Sequence, residues 1–327
     1  MANSGRVSMS QVMDVLNAGK DADLQRIEPV FVDILVDAQA SRGLVEAIRD
    51  AFLPEQATSQ VNAALLDEHT KAPVVRPDLC VIIGGGSDEA VRDAASTYAY
   101  LGVPVAIVAE SVLDAPEPHL SDSLMRLVSV AASSDYPTLL ARLARWVVET
   151  SEKSTAMAAN FPFCRKAKVA QLVSMYAKEN AAIGARGSSG KSDVSLMTSN
   201  QAKLALDIAA AYGRPLTLER AQELAGVVSA GVGYRTFARG ASKFVPGMGW
   251  ALNAGVGYLG TMATANAIAA HFERQDAGAK ALPRVRALLG TVAGALPAVG
   301  EAVVRARSGG SDAGTRALGS GTEGGRR

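Results

Sequence analysis

The chain of 327 residues is long enough for two domains of roughly 100–200 residues apiece. Hydrophobic residues make up 48% and charged residues 20%, which supplies a core and excludes wholesale disorder. Thirty-three Lys and Arg against 32 Asp and Glu leave a net charge of +1, so no overall field draws nucleic acid and none is expected as a partner.

Met1–Gln11 is polar and small, without the apolar stretch of a secretory leader, and residues 1–27 read as an N-terminal extension. Val30–Asp37 (VFVDILVD) is a short β-branched run that reads as a strand. Its Asp33 and Asp37 alternate on one face, which suits an edge strand turned to water. Ser41 then precedes a helical pattern of Leu44, Ile48, Ala51 and Phe52 that Pro54 ends.

Leu79–Ile83 (LCVII) is a second strand, and it runs into Gly84, Gly85, Gly86 and Ser87. Ser87 is placed to cap the next helix, with Asp88 and Glu89 in the first turn where the dipole favours negative charge. That helix carries Val91, Ala94, Ala95 and Tyr98 and stops at Gly102. Val103–Ala109 and Leu124–Val130 read as a third and fourth strand, and Pro137 opens a helix with Leu139, Leu140, Leu143 and Trp146. Strands alternating with helices predict an α/β domain over residues 28–151: a mostly parallel sheet with helices on both faces.

Strand signals disappear from Ala167 onward, and residues 152–306 read as an all-α helical domain. Lys168–Glu179 and Asn200–Tyr212 are amphipathic, the latter ended by Gly213. Val245–Ala270 holds no charged residue. Its Gly249, Trp250, Gly255, Gly257 and Gly260 suit close helix packing, in water or in lipid. Asn253, Asn266 and Pro246 oppose insertion. Residues 307–327 are rich in Gly, Ser and charge and are expected to be a disordered tail.

Open parallel sheets bind ligands beyond the carboxyl ends of their strands, so Gly84, Gly85, Gly86 and Ser87 are the candidate ligand-binding residues. The same glycines also make a tight strand-to-helix turn without any ligand. Residues 185–192 (ARGSSGKS) resemble a loosened P-loop in which Gly190, Lys191 and Ser192 would meet phosphate and Mg²⁺. A P-loop needs a strand before it, whereas the preceding residues here are helical, so an interhelix loop is the simpler reading. Cys80 and Cys164 lie far apart, and His69, His119 and His271 are dispersed without metal-ligand spacing. The cysteines suit a reducing compartment, on the cytoplasmic side. No catalytic set, metal or cofactor is implied, and an enzymatic role is not expected.

From Phe161 to Glu273 an ordered series runs through Phe161–Pro162, Arg165, Glu179–Asn180–Ala181 and Ile183–Gly184. It goes on through Asp193, Met197–Thr198, Asn200–Gln201, Ile208–Gly213, Arg220, Glu223–Leu224, Arg235 and Ala238–Arg239, then Val245–Pro246, Gly249–Trp250, Gly260–Thr261 and Phe272. This series resembles the YcjF-like, GTPase-associated helical domain of bacteria. The resemblance implies membrane association and places the Walker-like string in a loop between family helices. The family's molecular activity is not established, and the α/β half lacks the P-loop and base-recognition motif of its GTPase-bearing members. The expectation is a non-enzymatic membrane-associated or scaffolding protein whose partner is a membrane, another protein or a second copy. The alternative is a nucleotide-binding protein or NTPase using Gly84–Ser87 or Ala185–Ser192.

Overall fold

The computed structural model of the chain describes residues 9–66, 72–185, 191–216 and 258–277, and side chains within 13–66, 72–183, 196–216 and 258–277. Two compact units divide the chain, Met1–Ala270 and His271–Arg327. Of the second, the described residues 271–277 are helical, and Gln275 Nε2 lies 3.1 Å from His271 Nε2. Gly249, Trp250, Gly255 and Gly257, Gly190, and the tail at 307–327 lie outside the described residues.

Among the described residues five strands form one sheet in the order β2-β1-β3-β4-β5, every neighbouring pair parallel. They are β1 (Phe31–Asp37), β2 (Gln60–Leu66), β3 (Leu79–Ile83), β4 (Val105–Ala109) and β5 (Val128–Ala132). β3 and β4 are buried at every residue, which is why both read as unbroken apolar runs. β1 alternates between two faces. Val32 and Ile34 join one core with Leu44 and Ile48 of α2 (Arg42–Ala51) and Leu139 and Leu143 of the later helix Tyr136–Thr150. Leu35 joins the other with Val91, Ala94, Ala95 and Tyr98 of α3 (Asp88–Tyr100). Helices therefore cover both faces, as expected of an α/β domain.

Three expectations are corrected. β1 is not an edge strand, because the unanticipated β2 pairs outside it over seven residues. Asp33 and Asp37 are 7% and 2% exposed instead of facing water, Asp33 beside Asn62 of β2 and Asp37 against the turn at Gly85–Ser87. The fourth expected strand starts at Val128, and Asp122–Met125 before it is the short helix α4. Ser121 stands at the head of that turn, so Leu124 and Met125 belong to a helix and not to the sheet.

The helical part continues through α5 (Tyr136–Thr150), α6 (Ser154–Asn160), α7 (Arg165–Ala185), α8 (Lys191–Ala211) and α9 (258–277). Residues 9–27, expected as an extension, form the helix α1 (Met9–Ile27), packed on α6 and α8. Its Gly19 permits the approach, since a Cβ there would already touch Leu206 Cδ1 at 3.4 Å. Across the junction at 151/152 the packing is unbroken. Met157, Phe161 and Cys164 share one buried cluster with Leu44, Ile48 and Phe52, and the rings of Phe52 and Phe161 lie 5.2 Å apart.

A buried polar seam joins the helices. Asn180 of α7 donates to Thr261 Oγ1 of α9 at 2.8 Å and accepts from Asn200 of α8 at 3.1 Å. Tyr176 donates to Asp207 at 2.7 Å. Burial pushes the Asp207 carboxyl above its ordinary value, and burial pushes the Lys168 ammonium below its own. Among the described residues no helix is long and apolar enough to cross a membrane.

Candidate functional site at the carboxyl edge of the sheet

The strand order reverses between β1 and β3, so the crevice where open α/β sheets take ligands lies between the loops that follow Asp37 and Ile83. The sequence places three glycines there, and each has a geometric reason. A Cβ on Gly84 would stand 2.4 Å from the Asp114 carbonyl oxygen, and one on Gly85 would stand 2.2 Å from the Ala40 amide nitrogen. Gly86 takes φ +129°, which side chains of L residues rarely adopt. The loop is pressed against its neighbours on two sides.

Asp37 fills the place an anion would take. Its Oδ2 accepts from the Gly85 amide at 3.0 Å and the Ser87 amide at 2.8 Å. Its Oδ1 accepts from the Gln39 amide and the Ser87 hydroxyl, both at 2.9 Å. Gln39 closes the mouth by donating to Ser87 Oγ at 3.2 Å. Burial opposes the charge on Asp37, but these hydrogen bonds outweigh it and hold the carboxyl below its ordinary value. Ser87 heads α3 as expected, yet its hydroxyl serves Asp37 and makes no cap hydrogen bond.

Beside the crevice, Glu110 follows β4 and accepts from Ser41 Oγ at 2.7 Å and from Tyr136 Oη at 2.5 Å. Ser41 also caps α2 by accepting from the Leu44 amide. The two hydroxyls hold the Glu110 carboxyl low, and Glu110 in turn holds the Tyr136 phenol high. A proton-transferring group works best when its pKa is near the working pH, and the shifts here run away from neutrality. The trio ties the end of β4 to the starts of α2 and α5.

The other sequence-derived residues do not converge on this edge. Lys191 and Ser192 open α8, which comes after α7 in the chain, so no described strand leads into the Walker-like string. Gly260 lies in α9, where its carbonyl accepts from Thr264 Oγ1 at 2.9 Å. Among the described residues no group of three or more His, Cys, Asp or Glu could hold a metal ion.

Sequence reasoning misses two features. One is Asp37 itself, which the alternation of β1 turns to water. The other is the trio on the α3 side, where Asp33 accepts from Tyr98 Oη at 2.8 Å and from Asn62 Nδ2 at 3.0 Å. Burial, helped by the nearby Cys80 and Asp33, raises the Tyr98 phenol, so it stays a donor at neutral pH. The signal for both is the alternation of acidic residues inside an otherwise apolar strand, since a buried carboxylate requires partners. Comparison with protein-family models, curated proteins and solved structures finds no match for this chain.

Proposed function

We propose that this chain is a non-enzymatic scaffolding protein, acting by holding another macromolecule and not by turnover. The observation that carries the reading is the filled crevice. The amides of Gly85 and Ser87, which would otherwise face a phosphate, already donate to Asp37. Displacing that carboxylate would leave a buried charge without its hydrogen bonds, at about 1–3 kcal/mol or more. Support comes also from the outer strand β2, where residues 62–65 are exposed at the margin of the sheet.

In the same reading the helical half is the part suited to a membrane surface, on the strength of its resemblance to the GTPase-associated family and of the uncharged run Val245–Ala270. An alkaline carbonate wash of a cell membrane fraction separates the two forms of the proposal. Retention in the pellet supports membrane association, and full release restricts the role to scaffolding.

The test against an enzyme is a thermal-shift series with ATP, GTP and Mg²⁺. A ligand at 100 times its Kd stabilises by about 2.7 kcal/mol, a shift of several degrees. No shift is expected. A nucleotide-specific rise in Tm that Lys191→Ala abolishes would overturn the scaffolding reading.

A further inference from the structure

We infer that β2 pairs with β2 of a second copy, antiparallel about a two-fold axis normal to the sheet, and joins two five-stranded sheets into one. This rests on the scaffolding reading and names its partner. A sheet edge presents unpaired backbone donors and acceptors, and natural edges are blunted by charged residues, proline, bulges or a covering element. β2 reads Gln60–Leu66 (QVNAALL), without a charge or a proline. Its register with β1 runs one residue to one over all seven pairs, so no bulge twists it away.

Most of the strand's residues are exposed, and among the described residues no element covers either face over residues 62–65. Beside it on the α3 side lies a groove of about 570 Å³ walled by Leu35, Tyr98, Val74 and Val75. On the α2 side lies another of about 610 Å³ walled by Val45, Phe52 and Leu53. Apolar side chains stand in solvent around the strand: Leu65 is 70% exposed, Val75 64% and Leu53 58%. Exposed apolar side chains on both sides of an edge strand suit an association surface.

A second copy fits because the strand complements itself. Centred on Ala63, antiparallel pairing sets Val61 against Leu65, Asn62 against Ala64 and Gln60 against Leu66. Every opposed pair is uncharged, so the like-charge opposition that defeats many self-pairings is absent. Exposed Leu53, Ala63, Ala64, Leu65, Val74 and Val75 border the strand and would be covered by the second copy. An isologous contact of this kind closes on itself and leaves no free β2 edge for further growth.

The experiment is light scattering and sedimentation equilibrium on the whole chain between micromolar and hundred-micromolar concentration. The expected result is a mass of two chains that falls toward one on dilution. Ala63→Lys puts two ammonium groups opposite each other at the axis, and Ala63 is exposed, so the fold should be kept. Dimer affinity should fall at least tenfold with an unchanged far-UV spectrum and, at concentrations where both chains are monomeric, an unchanged Tm. Mixing Ala63→Lys with Ala63→Glu should restore a mixed dimer, which a misfolded variant would not do. A wild-type chain that is monomeric throughout the range, or an Ala63→Lys dimer as tight as wild type, overturns the pairing. Either result leaves the thermal-shift series free to decide the scaffolding reading separately.

Discussion

Replacing Asp37 with asparagine keeps the side chain's size but turns one of its two acceptor oxygens into a donor. Oδ2 faces two amides and Oδ1 faces an amide and a hydroxyl, so in either orientation the new NH₂ meets at least one fixed N–H. Hydrogen bonds to a charged group contribute about 1.5–3 kcal/mol, and the variant should lose an amount of that order. The pH dependence gives the sign. The folded-state carboxyl lies below its ordinary value, near 3.9 for an unfolded Asp, so its contribution is full above about pH 4 and drains away as pH falls further. Urea midpoints at pH 7 and pH 3 should therefore show the gap between wild type and Asp37→Asn narrowing in acid. A gap of constant width would mean that the ionised carboxylate is not what organises the loop.

At the scale of elements, legibility follows burial. β3 and β4 can be read to within two residues because strands covered on both faces are apolar throughout. β2 cannot, since QVNAALL lies at the margin with most of its residues exposed and carries neither alternation nor a full apolar run. Without β2, β1 looks like the edge, and Asp33 and Asp37 then point to water. The unread strand accounts for Asp33, which meets Asn62 of β2, while Asp37 is covered by the turn that follows β3. The glycine turn is legible as a turn, but its filling is not, because Asp37 and Gly85 are brought together only by the β1–β3 register. The helices repeat the pattern, in that the amphipathic stripe of α8 is visible while the partner of Asn180 is not. Thr261→Val removes the acceptor that Asn180 Nδ2 uses and leaves a buried N–H facing a methyl group. A loss of about 1–3 kcal/mol is expected. With Asn180→Ala the two changes should be less than additive in a double-mutant cycle of urea unfolding. Strict additivity would show that the α7–α9 hydrogen bond adds nothing to the fold.

For the molecule as a whole, the question is whether the sheet half can stand without the helices that follow it. The sequence divides at 151/152 into an α/β part and a part whose strand signals are gone from Ala167 onward, which reads as two separable domains. The packing argues for interdependence. Phe161 and Met157 are fully buried in the cluster that also takes Leu44, Ile48 and Phe52 from the sheet's own helix. The Asn160 carbonyl accepts from the Glu55 amide at 3.0 Å, and Lys153 pairs with Asp78 at 2.8 Å, so backbone and charge contacts cross the same seam. Burying Met157 and Phe161 contributes roughly 1.5–3 kcal/mol each, about 3–6 kcal/mol together. A domain's total stability is about 5–15 kcal/mol, so cutting at the junction removes a large share of it. Limited proteolysis should accordingly release no long-lived fragment that ends near residue 151, and unfolding of the sheet and of α6 should coincide. A protease-resistant piece covering 28–151, with its own sharp melting transition, would show that the helices decorate an already complete domain and that the shared cluster is not what stabilises it.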